Sequence, residues 1–176
     1  MSALAPGGRY SELEITGEDL SGTRLEGASL THCAFASIEA DVARWRGLSA
    51  RATAFRDSRM AGIQLNEATL REVLFDQTKL DMANFRLARL ERVTFRDCSL
   101  AEADFGDAQL DSVRFERCRL QGATFRGAAC HSTDLRGCSL EDIDGAGGLA
   151  GATIDAGQLI ELAPALARHV GLRVVA

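Results

Sequence analysis

The stretch from Leu80 to Phe105, LDMANFRLARLERVTFRDCSLAEADF, has a large apolar residue at every fifth position, and we call these positions central. The spacing continues without insertion or deletion back to Leu65 and forward to Phe125, and it resumes at Leu135 and Leu140. A period of five matches neither the 3.6-residue period of an amphipathic helix nor the 2-residue period of a half-buried strand. The pattern therefore indicates an internal repeat with its own geometry.

The same spacing extends upstream of this stretch. Its earlier members are Tyr10, Ile15, Leu20, Leu25, Leu30, Phe35, Trp45, Phe55 and Met60. Small residues take the central positions at Ala40 and Ala50, but Ile38 and Leu48, two residues earlier, restore the apolar volume. We therefore expect one unbroken repeat, with a second inward-pointing set two residues before the central one.

The kinds of residue also recur at a longer interval. Phe35, Phe55, Phe75, Phe95 and Phe115 are spaced 20 residues apart. Four pentapeptides per coil would stack these rings at the ladder spacing of about 4.8 Å. Cys98, Cys118 and Cys138 would form a column of their own in the same way.

Two pentapeptides, Ala103 to Asp107 (ADFGD) and Ala83 to Leu87 (ANFRL), resemble the loose motif A-(D/N)-L-x-x of the pentapeptide-repeat family. The resemblance covers roughly Glu18 to Asp144. It implies an all-β solenoid, a right-handed quadrilateral β-helix with about 20 residues per coil and a short α-helical C-terminal cap. We expect a mobile N-terminal tail at 1–9, the β-helix at 10–148, and the helical cap, which is also the expected dimerisation segment, at 149–176.

The C-terminal segment has the signals of a capping helix. Asp155 can cap a helix that begins near Ala156, and Pro164 should break or kink it, with a second short piece at 165–169. Its apolar residues exceed what covering one coil requires, which predicts a homodimer interface. These residues are Leu159, Ile160, Leu162, Leu166, Val170 and Leu172.

The charges are unevenly distributed. The chain has 20 basic and 25 acidic residues, a formal charge of −5 that disfavours direct binding to nucleic acid. Sorting by the 20-residue columns puts eight acids and three bases, Arg59, Lys79 and Arg119, on one face, while the other faces are nearly balanced. We call the eight acids the acidic stripe and expect them to bind a basic protein partner. They are Glu18, Asp19, Glu39, Asp41, Asp81, Glu102, Glu141 and Asp142.

No set of residues predicts catalysis. His32, His131 and His169 are scattered, and the sequence contains neither G-x-S-x-G nor H-E-x-x-H. The five cysteines form no C-x-x-C pair, so we expect buried, reduced thiols and no zinc site. The sequence predicts no enzyme, cofactor, metal or small-molecule substrate. It contains no apolar run of membrane-spanning length, which favours the cytoplasm.

A continuous rod with a helical cap is similar to the mycobacterial fluoroquinolone-resistance and Qnr-type subgroup of the family. The matching positions are mainly Ile154 to Gln158 and His169 to Leu172. This resemblance implies a dimeric DNA mimic that binds DNA gyrase or another type II topoisomerase, and modulates it or protects it from quinolone-type inhibitors. The alternative is an interaction scaffold with another protein partner. In that case the acidic stripe only solvates the rod.

Overall fold

The structure is a computed structural model, and it describes residues 4–175. The chain winds into a parallel β-solenoid with two ladders of three-residue strands. The strands of the first ladder are β1 (Arg9–Ser11), β3 (Ser29–Thr31), β5 (Ser49–Arg51), β7 (Thr69–Arg71), β9 (Arg89–Glu91), β11 (Gln109–Asp111) and β13 (Ala129–His131). Those of the second are β2 (Glu14–Thr16), β4 (Ala34–Ala36), β6 (Ala54–Arg56), β8 (Leu74–Asp76), β10 (Thr94–Arg96) and β12 (Arg114–Glu116).

The solenoid has four faces, and residues 20 apart pair between consecutive coils, except at the C-terminal end, where Asp134 pairs with Thr153. Face 1 carries the first ladder, in which Leu70 pairs with Leu90, and face 2 carries the second, in which Phe75 pairs with Phe95. Faces 3 and 4 are held by single parallel bridges, and we number them in chain order. Face 3 is centred on residues such as Leu80, and face 4 on residues such as Phe85. The sequence prediction of four pentapeptides per coil is confirmed.

Aromatic rings fill the interior in two columns. On face 2, the rings from Phe35 to Phe115 stack with centroids 4.9–5.1 Å apart. On face 4, Phe85, Phe105 and Phe125 stack at 5.0 Å. The two columns meet edge to face, an arrangement that aromatic quadrupoles favour. The rings therefore contact one another both along and across the rod.

The corners of the coil have a left-handed backbone. Every fifth residue from Gly7 to Asp142 has a positive φ, and of these corner residues nine are glycine and nineteen carry a side chain. After faces 3 and 4 the turn is closed by a backbone hydrogen bond, as from Ala83 N to the carbonyl of Leu80 at 3.0 Å. This conformation costs conformational energy in an L-residue with a side chain, so the backbone is strained at those corners.

The cap begins with a short 3-10 helix, Ala146–Leu149, and continues as α1, Ala156–His169. Asp155 and Gln158 form a capping box at the start of α1, as the Asp155 cap predicted. The predicted second piece at 165–169 is not a separate helix, because α1 runs through Pro164. Pro164 is exposed, whereas Leu162 and Ala165 are buried on either side of it, so packing keeps the helix in place despite the lost hydrogen bond.

Side chains of α1 replace the missing next coil. Gln158 is buried, and its Nε2 donates to the carbonyls of Leu135 at 2.5 Å and Cys138 at 2.8 Å. The Oε2 atom of Glu161 accepts from Leu140 N at 2.7 Å. These bonds satisfy backbone groups that the end of a ladder would otherwise leave unpaired.

The N-terminal residues that the structure describes contact the first coil. Leu4 packs against the core, and Gly7 N donates to the carbonyl of Glu26 at 2.9 Å. The backbone N–H of Ala5 donates to the Tyr10 hydroxyl at 2.7 Å. The expected tail at 1–9 therefore includes residues that join the solenoid, and β1 begins at Arg9; residues 1–3 lie outside the described part. No helix within residues 4–175 is long and apolar enough to cross a membrane.

Candidate protein-binding face

The acidic stripe lies on face 3 and on the corner that follows it. Single parallel bridges align the outward row before the central residues, with Asp19 paired to Glu39 and Glu39 to Arg59. Further along the same row come Lys79 and Arg119. The fold therefore holds acidic and basic side chains of successive coils at fixed, closely spaced positions.

Near the N-terminal end, two carboxylates of the stripe bind groups of the protein itself. Asp41 forms an ion pair with Arg59 at 2.5 Å and accepts from Ala61 N at 2.9 Å. Asp19 accepts from Ser21 N at 2.9 Å, and this hydrogen bond is the main reason that the pKa of Asp19 lies below its usual value. Both groups are therefore partly satisfied before any partner binds.

Asp81 is a structural residue of face 3. Its Oδ1 accepts from Ala101 N at 3.1 Å and from the Ser99 hydroxyl of the next coil. The Ser99 hydroxyl in turn accepts from Arg119 Nη2 at 3.1 Å. Asp81 therefore links two coils, a role that sequence reasoning missed because the period gives a side chain's direction but not its sideways contacts.

The remaining five acids of the stripe are exposed and form no ion pair among the described residues. They are Glu18, Glu39, Glu102, Glu141 and Asp142. Along the face, Glu18 and Glu39 come first and Arg59 and Lys79 follow in the next two coils. Glu102 comes next, then Arg119, and Glu141 and Asp142 lie in the last coil, beside the cap. Basic side chains therefore interrupt the acidic stripe at three of its seven coils.

Face 3 differs from the other faces in how its charges are compensated. Within residues 4–175, ten of the eleven ion pairs lie on faces 1, 2 and 4, and only Asp41–Arg59 lies on face 3. Elsewhere a base commonly pairs with an acid one coil away, as Arg96 does with Asp76 and Arg117 with Asp97. Among the described residues, face 3 thus has a smaller share of its acids in ion pairs than any other face, although exposed acids such as Glu12 and Asp57 on faces 1 and 2 are also unpaired.

Two apolar side chains border this face. Val42 and Met82 lie on the corner after face 3, and they are 64% and 58% exposed. Val42, Gly62 and Met82 occupy the same corner in three consecutive coils. The sequence analysis did not single out the two apolar residues, because corner positions follow no apolar pattern. Their signal was a large apolar residue at a corner position, where the side chain points away from the core.

The predicted dimer residues divide into two groups. Leu159, Ile160, Val170 and Leu172 are exposed on the cap. Leu162 is buried at 3% exposure and Leu166 is partly buried against the core, so these two serve the packing of the chain itself. The candidate interface is therefore smaller than the sequence predicted.

Two histidines are next to a cysteine in the sequence, at His32–Cys33 and Cys130–His131, but the two side chains of each pair lie on opposite sides of the backbone. Cys33 and Cys130 are buried, whereas His32 and His131 are exposed. Across residues 4–175, no group of three or more His, Cys, Asp or Glu side chains is placed to hold a metal ion in common.

Comparison with solved structures gives several matches of low identity. Full-length QnrB1, a plasmid-mediated fluoroquinolone resistance protein, is 18% identical, with 94% of this chain and 100% of that chain covered and a TM-score of 0.38. HetL, a pentapeptide repeat protein involved in heterocyst differentiation regulation in the cyanobacterium Nostoc, is 19% identical, with coverages of 86% and 91% and a TM-score of 0.44. A pentapeptide repeat protein of the Arabidopsis thaliana thylakoid lumen is 20% identical, with coverages of 85% and 77% and a TM-score of 0.29.

No curated protein sequence matches the chain. A family model does match, and it is described as a pentapeptide repeat region. It covers residues 28–105 and 68–144, which together are more than half of the chain and include most of the coils described above. The chain therefore belongs to the pentapeptide-repeat family.

Proposed function

We propose that this chain is a non-enzymatic binding protein that presents face 3 to the basic, DNA-handling surface of a type II topoisomerase such as DNA gyrase. The observation that carries the proposal is the charge on face 3: among the described residues, one of the eight acids of the stripe forms an ion pair, whereas at least half of the acids on each other face do. The resemblance to the quinolone-resistance DNA mimics makes gyrase the first partner to test.

Rigidity supports this proposal. The carboxylates sit on a backbone fixed by ladder hydrogen bonds, so little conformational entropy is lost when a partner binds them. The seven coils of face 3 span roughly 30 Å, over which duplex DNA carries about 18 charges. One copy of the rod therefore supplies only part of the charge that it would imitate.

Dimerisation would extend the charged surface, and we include it in the proposal. Leu159, Ile160, Val170 and Leu172 are more than half exposed on the cap. A second copy docked on this apolar surface would place two rods end to end and double the length of the acidic face. Self-complementary docking of one patch on itself is the usual geometry of a homodimer.

A supercoiling assay tests the function. Purified protein is added to gyrase and relaxed plasmid, with and without a quinolone. We expect reduced supercoiling in the absence of drug, or restored supercoiling in its presence, at protein concentrations close to that of the enzyme. Supercoiling unchanged under both conditions would refute the proposal.

A second candidate is an interaction scaffold for a partner other than a topoisomerase. The three bases on face 3, Arg59, Lys79 and Arg119, favour it, because DNA has no cationic counterpart. Val42 and Met82, on the corner after face 3, offer an apolar contact that a DNA mimic does not need. Alanine at both positions separates the two candidates, since it should weaken a scaffold contact and leave binding to gyrase nearly unchanged.

A further inference from the structure

The two ends of the rod differ in how their backbone edges are covered. At the C-terminal end the cap supplies partners, since Gly137 N donates to Asp155 Oδ2 at 3.0 Å and Leu140 N to Glu161 Oε2 at 2.7 Å. At the N-terminal end, β2 is the last strand of its sheet, and it pairs with β4 alone. The outer edge of β2 is therefore unpaired among the described residues, whereas the opposite end of the rod is closed.

The repeat shows which groups of β2 are left open. In the second coil, Ala34 N donates to the carbonyl of Leu13 in the first coil at 2.8 Å. Glu14 is the partner of Ala34 in the ladder, so its own N–H points away from the rod, where there is no further coil. The N–H of Thr16, two residues along the same strand, points in the same direction. Such a row of open donors and acceptors is a template for another strand.

The chain around this edge is strongly acidic. Four of the eight residues from 12 to 19 are acids and none is a base. All four are exposed, and none forms an ion pair within residues 4–175. The two bases of the first coil, Arg9 and Arg24, lie on faces 1 and 4. The acids around the open edge are Glu12, Glu14, Glu18 and Asp19.

Apolar side chains lie just inside the edge. Leu13 is partly buried against the core, and Ile15 is 8% exposed, whereas its ladder partner Phe35 is fully buried. An apolar side chain placed over Ile15 from the open side would extend the inward column by one residue. Because side chains alternate along a strand, the residues before and after it would point outward, beside Glu14 and Thr16.

We propose that the open edge of β2 binds an extended segment of another protein, in which basic and apolar residues alternate, as an added strand. Main-chain hydrogen bonds give affinity in this mode of recognition, and alternate side chains give specificity. A basic residue opposite Glu14 stabilises the pairing, as opposite charges on neighbouring strands do. A second copy docked edge to edge is disfavoured, because the four acids of each copy would be brought together. This site is independent of the role proposed for face 3.

The test is the fluorescence anisotropy of a labelled peptide, Lys-Val-Lys-Val-Lys, titrated with the full chain. We expect saturable binding, and roughly tenfold weaker binding when every residue of the peptide is N-methylated, which keeps the charge and removes the N–H donors. The peptide Glu-Val-Glu-Val-Glu should not bind. Equal binding of the N-methylated peptide would overturn strand addition, binding of the acidic peptide would overturn the charge selectivity, and no binding of the parent peptide would overturn the whole proposal.

Variants locate the site on the protein. Thr16→Pro removes an open N–H without changing the charge, at a position without a positive φ, and should weaken the peptide roughly fivefold. Glu14→Gln with Glu18→Gln removes two charges and should weaken it by a similar factor, roughly fivefold, at low salt. The matched control, Glu141→Gln with Asp142→Asn, lies at the capped end and should bind like the wild type.

Circular dichroism melting establishes that each variant is folded, and the N-methylated peptide tests the edge without any variant. Unchanged binding by the folded Thr16→Pro and Gln variants would place the peptide elsewhere and overturn the proposal. Light scattering of the protein alone tests the other occupant. A wild-type mass that Thr16→Pro lowers would assign the edge to a second copy and would also overturn it.

Discussion

The rings of Phe75 and Phe95 stack with centroids 5.0 Å apart and planes 5° from parallel. Phe85, on the next column, meets both of them edge to face, at 6.4 Å from Phe75 and 5.8 Å from Phe95. Each ring therefore contacts the next rings of its own column and rings of the second column. Removing one ring removes contacts with the coils above and below it.

We predict that Phe75→Asp unfolds the protein or lowers its free energy of unfolding by more than about 4 kcal/mol. Removing a buried Phe side chain alone costs about 3–5 kcal/mol, and the buried carboxylate has no partner. Phe75→Leu is the control, because leucine fills central position 135 of the same face, and it should cost clearly less. A thermal melt of Phe75→Asp equal to that of the wild type would contradict the assigned register.

Val42→Gly should stabilise the protein by roughly 1 kcal/mol. Val42 has a φ of 48°, a conformation that costs an L-residue roughly 1–2 kcal/mol, and its side chain is largely exposed. Ala43→Gly, at the buried neighbour without a positive φ, should instead lower stability. Chemical denaturation measures both changes, and a loss of stability in Val42→Gly would show that the corner is not strained.

The sequence predicted the repeat well because a filled interior imposes strict spacing. Phe75 and Phe95 could be placed in one column from the period alone, and the ring distances agree with that placement. The roles of Asp81 and Gln158 could not be predicted, since they depend on contacts with another coil or with the end of the rod. The continuity of α1 through Pro164 could not be predicted either, because it depends on the packing of Leu162 and Ala165.

Acid should destabilise the rod through its ion pairs. Arg96 donates two hydrogen bonds to Asp76, at 2.9 and 2.7 Å, and these hold the pKa of Asp76 below its usual value. Because the folded-state pKa is the lower one, this stabilisation is complete above the unfolded pKa of about 3.9 and is lost as the pH falls through the folded value.

We therefore expect Tm to fall below about pH 4, and Asp76→Asn to have a lower Tm at pH 7 but a smaller fall in acid. Asp57→Asn is the matched control, since Asp57 lies on the same face, is exposed and has no ion pair among the described residues. Thermal melts from pH 7 to pH 3 measure the effect. If the Tm of Asp76→Asn and that of the wild type fell equally between pH 7 and pH 3, Asp76 would not be a source of the acid sensitivity.

Ile160→Glu should convert the proposed homodimer to a monomer. Ile160 is 77% exposed in one copy, so a charge there costs the single chain little but would be buried in the dimer. Glu12→Lys, at an exposed residue of the opposite end, is a control for surface charge. Light scattering at micromolar concentration gives the mass, and a monomeric wild type would refute the dimer.

The most direct test of face 3 is the affinity for gyrase of a variant in which Glu39, Glu102, Glu141 and Asp142 are all changed to Lys. Asp81 is left intact, because its hydrogen bonds to the next coil are structural. A control variant carries Lys at Glu12, Glu14, Asp57 and Asp111, four exposed acids of faces 1 and 2, and has the same net charge.

Biolayer interferometry at low and moderate salt compares the three proteins on immobilised gyrase. We predict that the wild type binds with an affinity that falls as salt rises, that the control retains most of this binding, and that the face 3 variant loses at least tenfold in affinity at low salt. Equal loss in both variants, or full binding by the face 3 variant, would contradict the claim that face 3 is the binding surface.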